Sequence, residues 1–457
     1  MKNKLILILL FLSFNSISQK KEGGWFGILN VMGKEIPFGL EIQGEKGRLY
    51  NPEKEEQSYI IDSVSIQGSD LNFFIKNLGL KYSGKIENDS IKGFWMQAGQ
   101  SLPLIFTRKE VKAKVQKRPQ NPIPPFNYYK EEVDVENIVA DLNLSGTLTL
   151  PNKDGKKYPV VLLISGSGPQ NRDSEILGHK SFAVIADHLA KQGIGSFRYD
   201  ERGVGESTGK YQGSDLNDLQ SDVGVIVDYL LKREEIGMLG LLGHSEGGII
   251  APKYASENKK KIDFVIMMGA PGVPVSELMH KQRRNQYEIA GMSEESILAN
   301  KQMFTNIDDA VINSNSEEEK DQKIAEIVTA KLKLEGADEK EIKMTLNSIL
   351  VFVEGTWYKS FVETNPDDYL KKLKRPVLAI GGGKDLQVDS ETNLKAISNS
   401  LNSKKFCRVN NTISTYGNLN HLFQPAITGN IDEYGKIETT IDREVLFAIS
   451  SWIKELK

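Results

Sequence analysis

Residues 236–251 read Ile236-Gly-Met-Leu-Gly-Leu-Leu-Gly-His-Ser245-Glu-Gly-Gly-Ile-Ile-Ala and decide the fold. The stretch joins a short apolar strand, the turn Gly-His-Ser-Glu-Gly and an apolar segment that can continue as a helix. Gly243 and Gly247 leave room for a turn so sharp that its central residue is strained and its side chain projects above the sheet. A serine at the centre of such a strand–turn–helix motif is typical of a nucleophile. We therefore predict that Ser245 is the nucleophile of a catalytic site.

Strands and helices alternate on both sides of this stretch, from about residue 130 onward. Such alternation is typical of an α/β fold with a mostly parallel sheet flanked by helices. A hairpin is predicted first, at 133–135 and 146–150. The predicted core strands are 159–164, 193–199, 237–242, 264–268, 377–380 and 406–409. The predicted helices are 180–192, 216–232, 246–257, 390–401 and 441–456.

The strand signal disappears between Pro271 and about Asp368. Residues 320–334 and 339–353 have helical periodicity instead. This insertion leaves and re-enters the sheet at the carboxyl edge of the strands, where sites form, so we interpret it as a helical cap. The alternative is a solvated helical hairpin with no gating role.

A separate β-rich segment precedes the α/β part. Short β-type runs separated by turn residues predict an antiparallel barrel or sandwich, with a weak likeness to a lipocalin. This module is expected to be either a scaffold or a binder of an apolar ligand. The predicted strands are 36–42, 59–66, 71–75, 80–86, 91–96 and 102–107. The predicted divisions are a signal peptide at 1–18, the β domain at 19–110, a proline-rich linker at 111–130, the catalytic domain at 131–271 and 369–457, and the cap at 272–368.

The amino terminus predicts export. Lys2 and Lys4 precede an apolar run at 5–14, and Ser16-Ile-Ser18 supplies a small-x-small cleavage pattern. We expect a cleaved signal peptide and a periplasmic or secreted bacterial protein, with an uncleaved anchor as the alternative. No other apolar stretch is long enough to cross a bilayer.

Composition excludes several other classes of protein. The single Cys407 rules out an intramolecular disulfide and disfavours a zinc site. A net charge of −3 over 457 residues, with no basic block outside the leader, gives no electrostatic case for nucleic acid. We therefore expect a small-molecule substrate, no metal and no cofactor.

A serine nucleophile needs a base, and the base needs an orienting acid. Only two histidines follow Ser245 in the chain, and His280 lies at the start of the cap. His421 lies in a polar loop before the final helix and is the predicted base. Asp385 follows a buried-type strand and a glycine turn, which makes it the predicted acid. Asp389 is the alternative, although its position before a helix is typical of an N-cap.

The oxyanion of an acyl-transfer reaction needs backbone N–H donors. One predicted donor is the amide of Glu246, which follows the nucleophile. The other is the amide of Ser167, with Gly168 as the alternative, in the glycine-containing loop 165–173. The loop has no Gly-Lys-Ser/Thr ending, so it does not predict a phosphate site.

Other conspicuous residues allow two interpretations each. Arg172 and His179 are expected either to form a polar rim of the substrate pocket or to fix the oxyanion loop. Trp357 and Phe361 are expected either to line an acyl pocket or to pack the cap. Asp200 and Arg202 are expected to hold a loop by an ion pair, with a catalytic acid role as the alternative that chain order disfavours.

The chain contains five motifs in this order: Ser165-Gly-Ser-Gly-Pro-Gln-Asn-Arg-Asp, Arg198-Tyr-Asp-Glu-Arg-Gly-Val-Gly-Glu-Ser, Gly243-His-Ser-Glu-Gly-Gly, Gly383-Lys-Asp-Leu-Gln-Val and Asn420-His-Leu-Phe-Gln. Together they resemble the EstD-like α/β-hydrolases, a family of bacterial serine esterases related to serine aminopeptidases and acyl-thioesterases. The likeness covers roughly 130–457. It implies carboxylic-ester hydrolysis with Ser245, Asp385 and His421 as the triad. Where the family usually has His-Gly in the oxyanion loop, this chain has Ser165-Gly166, which leaves the backbone role intact.

Two further functions stay open. A peptidase or thioesterase can use the same fold, because a triad does not choose the leaving group. A binding protein, in which the β module holds an apolar ligand and the hydrolase half is vestigial, is the alternative from another class.

Overall fold

The computed structural model describes residues 23–97, 100–112, 114, 116–403 and 410–456. The predicted signal peptide at 1–18 and the predicted strand at 406–409, with Cys407, lie outside the described residues. Two compact units are distinguished: the first comprises 23–31 and 35–114, and the second comprises 32–34 and 116–456. Within the described part of the chain, no helix combines the length and apolar character needed to cross a membrane.

The first unit is a nearly closed antiparallel barrel. Its strand order is β4-β3-β2-β1-β9-β8-β7-β6-β5, so the two edge strands are neighbours in the chain. The strands are β1 (Gly23–Val31), β2 (Lys34–Gln43), β3 (Lys46–Asn51), β4 (Lys54–Ile61), β5 (Ser63–Gln67), β6 (Asp70–Ile75), β7 (Leu80–Glu87), β8 (Ser90–Gln97) and β9 (Gln100–Thr107). A 3-10 turn, Lys76–Leu78, joins β6 to β7.

Aromatic side chains fill the interior of the barrel. Tyr82 is fully buried, stacks on Phe73 at 5.1 Å and meets the ring of Phe106 edge-on at 5.3 Å. Its hydroxyl donates to the carbonyl of Leu104 at 2.9 Å, which satisfies the buried polar group. The interior is therefore a packed hydrophobic core.

One predicted strand of the barrel is wrong. The sequence pattern predicts a single strand at 59–66, but the structure has β4 and β5 with a break at Asp62. The amide of Asp62 donates to the carbonyl of Phe74 and its side chain accepts from the amide of Lys76 at 2.7 Å, so the chain turns there. Strands β1 and β3 were not predicted.

The second unit contains an eight-stranded sheet in the order β10-β11-β15-β12-β16-β17-β18-β19. The pairs from β15 to β19 are parallel, and the hairpin β10–β11 joins β15 in antiparallel orientation. The sheet strands are β10 (Tyr129–Asn137), β11 (Leu142–Leu150), β12 (Tyr158–Ile164), β15 (Gly195–Tyr199), β16 (Ile236–His244), β17 (Phe264–Met268), β18 (Val377–Gly382) and β19 (Thr412–Tyr416). A small hairpin, β13 (Glu175–Ile176) and β14 (His179–Lys180), stands apart from this sheet.

Helices flank the sheet and form the insertion between β17 and β18. The order of strands and helices is that of an α/β-hydrolase with an N-terminal β domain, and the predicted fold class is confirmed. The helices are α1 (Ser181–Lys191), α2 (Leu216–Leu230), α3 (Gly247–Glu257), α4 (Val275–Ile289), α5 (Glu294–Asn313), α6 (Glu317–Leu334), α7 (Glu339–Phe352), α8 (Thr356–Val362), α9 (Asp367–Leu370), α10 (Ser390–Leu401), α11 (Ile431–Tyr434) and α12 (Arg443–Glu455).

The insertion, α4 to α9, packs against the sheet of the second unit. Ile307 of α5, Val328 of α6 and Tyr358 of α8 are fully buried in the same apolar cluster as residues of the sheet. The side chains of Ser293 and Asp338 cap the starts of α5 and α7. The insertion is therefore a helical layer packed against the sheet, and its role as a cap stays a prediction.

The expected ion pair between Asp200 and Arg202 is also wrong. Asp200 pairs with Arg172 at 2.7 Å, whereas Arg202 pairs with Asp222 of α2 at 2.7 Å. Asp222 accepts a further hydrogen bond from Asn137 at 2.8 Å. The two charges thus connect the loop after β15 to two different elements.

This buried pair generates a prediction. Arg202 and Asp222 are 7% and 1% exposed, so Asp222→Ala leaves a buried guanidinium with only the half-exposed carboxylate of Asp218, 3.3 Å away. We expect the free energy of unfolding to fall by about 3–5 kcal/mol. Urea unfolding followed by circular dichroism at 222 nm measures this loss, because the α-helices lie in the second unit.

The matched control is Asp228→Ala on the same helix. Asp228 and its partner Lys261 are 51% and 38% exposed, so this change is expected to cost less than about 1 kcal/mol. Equal losses in the two variants would contradict the prediction.

Candidate active site

The strand–turn–helix motif of the sequence forms a strained turn at the carboxyl edge of the sheet. Between β16 and α3, Ser245 has a φ of +54°, a conformation that non-glycine residues rarely adopt. Its amide donates to the carbonyl of Met268 at 2.9 Å, and its carbonyl accepts from the amide of Gly248 at 2.8 Å. A Cβ at position 243 would lie 1.9 Å from the carbonyl oxygen of Gly247, so the turn needs glycine there. The surrounding backbone thus holds the serine in its strained conformation.

The predicted acid and base are in direct contact. His421 Nδ1 lies 2.7 Å from Asp385 Oδ2, and the two side chains are 5% and 0% exposed. The other carboxylate oxygen of Asp385 accepts from the amides of Gln387 and Val388, each at 2.8 Å. Two backbone donors therefore fix the carboxylate and leave Oδ2 for the imidazole. The alternative acid, Asp389, accepts from the amide of Thr392 at 2.9 Å and caps α10.

Met268 and Gly269, at the end of β17, connect this pair to the nucleophile. Met268 accepts the hydrogen bond from the Ser245 amide. A Cβ at Gly269 would lie 3.3 Å from His421 Nδ1 and 3.5 Å from Asp385 Oδ2. Among the described residues, the imidazole of His421 bonds to Asp385 alone, and no bond joins it to the Ser245 hydroxyl. Catalytic hydrogen bonds of this kind often tighten only when substrate binds.

Motif residues to which the sequence assigns no catalytic role hold the loop of His421. His244 Nε2 lies 2.9 Å from the carbonyl of His421. Burial lowers the pKa of His244 to about 3, so its ring is neutral and donates through Nε2. Asn420 Oδ1 accepts from the amides of Leu422 and Gln424, each at 3.0 Å. The contact of His244 joins segments 177 residues apart, so no local sequence pattern predicts it, whereas the two contacts of Asn420 lie within the loop itself.

Of the four predicted pocket residues, His179 and Arg172 make contacts that hold the fold together. His179 is fully buried, with its ring nitrogens 2.9 Å from Thr440 Oγ1 and 3.1 Å from the carbonyl of Tyr434. Arg172 bonds through its side chain to Asp200 at 2.7 Å. These placements support the interpretation that both residues fix loops, and they do not support a role in contacting substrate.

The oxyanion loop passes directly over the nucleophile. A Cβ at Gly166 would lie 3.0 Å from Ser245 Cβ. The amide of Gly168 donates to the hydroxyl of Tyr211 at 3.0 Å, whereas the amides of Ser167 and Glu246 have no partner among the described residues. The geometry therefore favours Ser167 over Gly168 as the second donor.

The carboxyl of Glu246 connects the oxyanion loop to the cap. Its Oε2 accepts from Ser167 Oγ at 3.1 Å and from Trp357 Nε1 at 2.8 Å. Trp357 stacks on Phe361 with ring centroids 4.9 Å apart. Of the four pocket candidates, Trp357 is thus brought to the residue beside the nucleophile, and Phe361 packs against it.

A second buried carboxyl holds the same loop. Glu201, at the end of β15, accepts from Ser165 Oγ at 2.6 Å and from the amide of Gln170 at 2.9 Å. Burial raises the pKa of Glu201 to about 8 and that of Glu246 to about 7. Among the described residues, no group of three or more His, Cys, Asp or Glu side chains is arranged to hold a metal ion.

This fold and site define the class of the protein: it is an α/β-hydrolase with a nucleophile-elbow serine. Residues 179–338 match the model of the serine aminopeptidase S33 family. The chain is also similar to Esterase EstD of Thermotoga maritima, with 27% identity over 334 residues, 72% of this chain and 69% of that esterase. The chain is thus an α/β-hydrolase by its fold and a homologue of EstD, in agreement with the resemblance based on five motifs.

Solved structures with a related chain path include two esterases. An esterase of Pyrococcus furiosus is 15% identical, with a TM-score of 0.44, over 75% of this chain and 98% of the other. Est1E of Butyrivibrio proteoclasticus, solved with ferulic acid, is 17% identical, with a TM-score of 0.43, over 71% of this chain and 98% of the other. The assignment depends on the strand order and on the similarity to EstD.

The raised pKa values predict a pH-dependent stability. Between about pH 4.5 and pH 8 the folded protein keeps protons on Glu201 and Glu246 that the unfolded chain has released. Stability from these two groups is therefore present below pH 4.5 and is lost as the pH rises to about 8. The double variant Glu201→Gln, Glu246→Gln has no such protons to lose. We therefore expect its free energy of unfolding, relative to that of the wild type, to increase by about a few kcal/mol between pH 5 and pH 8. Urea unfolding across this range measures the difference.

Glu235→Gln is the control for this experiment. Its hydrogen bond to Arg233 lowers the pKa of Glu235, so the carboxylate is ionised in both states above pH 5. The difference in free energy of unfolding between this variant and the wild type is expected not to change with pH over the same range. If the difference for the double variant also did not change with pH, the two buried carboxyls would titrate normally and the prediction would fail.

Proposed function

We propose that this protein is a serine esterase that hydrolyses carboxylic esters of small molecules through an acyl-enzyme intermediate. Ser245 is the proposed nucleophile, His421 the base and Asp385 the orienting acid. The observation that carries the proposal is the 2.7 Å contact between His421 and Asp385, next to a serine held at a φ of +54°. Similarity to EstD supports esters as the substrate class.

The proposed reaction has two steps. His421 Nε2 takes the Ser245 proton as Oγ attacks the ester carbonyl carbon, and the carbonyl electron pair moves onto oxygen. The amides of Glu246 and Ser167 stabilise that oxyanion. His421 then gives its proton to the leaving alcohol, and an acyl-serine remains. In the second step His421 deprotonates water, which attacks the acyl carbon, and the proton returns to Ser245 as the acid leaves.

Asp385 acts through the imidazole in both steps. Its Oδ2 accepts from Nδ1, so the other ring nitrogen has no proton and can accept that of Ser245. The two amides that bind Oδ1 keep the carboxylate oriented. The ion that forms on His421 in each transition state is stabilised by this buried negative charge.

A peptidase on the same site is the second candidate. The match of residues 179–338 to the serine aminopeptidase family favours it. A peptidase must protonate a poorer leaving group, and an aminopeptidase must also hold a substrate amine. Aryl esters compared with aminoacyl anilides at equal concentration separate the two, and faster turnover of the anilides would reverse our order. The ligand-binding alternative gains no support from the packed interior of the barrel.

We also propose that the protein is exported, on the basis of the pattern at residues 2–18. In a bacterial host, the mature protein is expected in the periplasm or the medium, with Gln19 as its first residue. N-terminal sequencing of each fraction tests this. A membrane-bound protein that keeps Met1–Ser18 would support the uncleaved anchor.

The triad predicts the behaviour of three variants. We expect Ser245→Ala and His421→Ala each to lose at least about 10³-fold in kcat on a short p-nitrophenyl ester, and Ser245→Ala to lose all labelling by a fluorophosphonate. Asp385→Asn is expected to lose about 10⁴-fold, because the imidazole then adopts the wrong tautomer. Stopped-flow or steady-state kinetics measure the rates, and in-gel fluorescence measures the labelling.

Two controls match these variants. Ser256→Ala removes a buried hydroxyl from the helix that follows the elbow, and Asp389→Asn changes the helix cap that was the alternative acid. Both are expected to keep wild-type turnover within a few-fold. A larger loss in Asp389→Asn than in Asp385→Asn, or labelling that survives in Ser245→Ala, would sink the triad assignment.

A further inference from the structure

One oxygen atom joins three segments of the chain around the nucleophile. Glu246 is 2% exposed and belongs to the elbow itself. Its Oε2 accepts from Ser167, which lies in the loop after β12, and from Trp357, which lies in the first turn of α8. The proposed mechanism uses only the backbone amide of Glu246. Its buried carboxyl therefore has no role in the steps described above.

The rest of the oxyanion loop is held by other groups. Glu201 binds the loop at Ser165 and Gln170, and the hydroxyl of Tyr211 binds the amide of Gly168. None of these contacts reaches the side chain of Ser167. That hydroxyl bonds to Glu246 alone among the described residues. Among the described residues, the carboxyl of Glu246 is thus the group that holds the Ser167 side chain, while Gln170 Nε2 contacts the Ser167 carbonyl at 3.4 Å.

The cap reaches the same carboxyl through an indole N–H. Trp357 is held in turn by its stacking on Phe361, which is 8% exposed within the main apolar cluster. A displacement of α8 would remove one of the two donors to Oε2. The remaining carboxyl would then be buried with fewer hydrogen bonds, which is costly in a site of low dielectric.

We propose that Glu246 is a positioning residue whose carboxyl sets the Ser167 amide for the oxyanion and couples that amide to the cap through Trp357. This inference rests on the proposed esterase function and deepens it. Its consequence is that the cap affects the rate of acyl transfer through one hydrogen-bond acceptor, besides any effect on substrate entry. A misplaced oxyanion donor weakens stabilisation of the transition state more than binding of the substrate.

The first test compares two substitutions at position 246. Glu246→Ala removes the acceptor, so we expect kcat on a short p-nitrophenyl ester to fall about 10- to 100-fold with a change of less than about threefold in KM. In Glu246→Gln the amide oxygen can accept both hydrogen bonds, so we expect kcat to recover to within about fivefold of the wild type. An unchanged kcat in Glu246→Ala, or a loss that glutamine does not rescue, would overturn the proposal.

The second test uses milder changes at the two donors. Ser167→Ala keeps the backbone amide and removes the hydroxyl, and Trp357→Phe keeps a ring and removes the indole N–H. Each is expected to lower kcat about 3- to 10-fold, and the double variant is expected to deviate from the product of the two losses, because both donors share one oxygen. This deviation should persist in the Glu246→Gln background and vanish in the Glu246→Ala background. Additive losses in all backgrounds would overturn the coupling.

Trp452→Phe is the matched control for the indole change. Trp452 lies on α12, is 8% exposed and donates to Thr412 Oγ1 at 3.1 Å. We expect its kcat and KM to match those of the wild type. An equal loss of kcat in Trp452→Phe and Trp357→Phe would indicate general destabilisation and would overturn the role of Trp357. Circular dichroism verifies that each variant is folded. If Glu246→Ala does not fold, the proposal is tested by the variants Ser167→Ala and Trp357→Phe, alone and combined, in the wild-type and Glu246→Gln backgrounds.

The failure of this inference is distinguishable from failure of the esterase assignment. A folded wild type that neither hydrolyses aryl esters nor reacts with a fluorophosphonate overturns both. A wild type that does both, together with a Glu246→Ala variant of unchanged kcat, overturns the positioning role alone.

Discussion

The backbone clearance at the elbow is the constraint on which the rest of the site depends. The chain reverses direction between β16 and α3 so tightly that a Cβ at Gly243 would meet the carbonyl of Gly247 at 1.9 Å. A Cβ at Gly247 would in turn lie 2.2 Å from the carbonyl of Ile164 on the neighbouring strand. These contacts bring β12, β16 and α3 together at one point. The strain at Ser245 is therefore maintained by packing of the sheet and the helix and not by the turn itself.

The parallel sheet explains why distant segments converge on this serine. The proposed oxyanion loop follows β12, the residue that accepts from the Ser245 amide ends β17, and the proposed acid Asp385 follows β18, all at the carboxyl edge. The proposed base lies on the loop after β19, the neighbour of β18. A rigid sheet with functional groups on its loops positions side chains from four segments without requiring them to be near one another in the chain.

Burial has different consequences for the ionisable groups around the site. Asp385 has two amide donors and a histidine as partners, so its buried carboxyl is hydrogen-bonded through both oxygens. Glu201 and Glu246 have only neutral donors, and the pKa of each is raised. A carboxyl that holds a proton near neutral pH can still accept hydrogen bonds, so it can organise a loop without adding a second negative charge beside the oxyanion.

The sequence by itself determined the features that depend on a few neighbouring residues. The elbow at Ser245 follows from glycines two residues to either side of the serine, and the α/β class follows from strands and helices that alternate over short stretches. Chain order also pointed to Asp385 and His421, because the sheet presents its loops in a fixed sequence. The tertiary structure alone placed Asp385 beside His421 and Asp389 at a helix cap, bonded the Gly168 amide to Tyr211, and placed the last strand of the sheet at 412–416. It also revealed the bond between Glu246 and Trp357, 111 residues apart, and the partners of Asp200 and Arg202. These features depend on which segments meet in three dimensions, and no local pattern of residue types encodes the partner of a side chain across the fold.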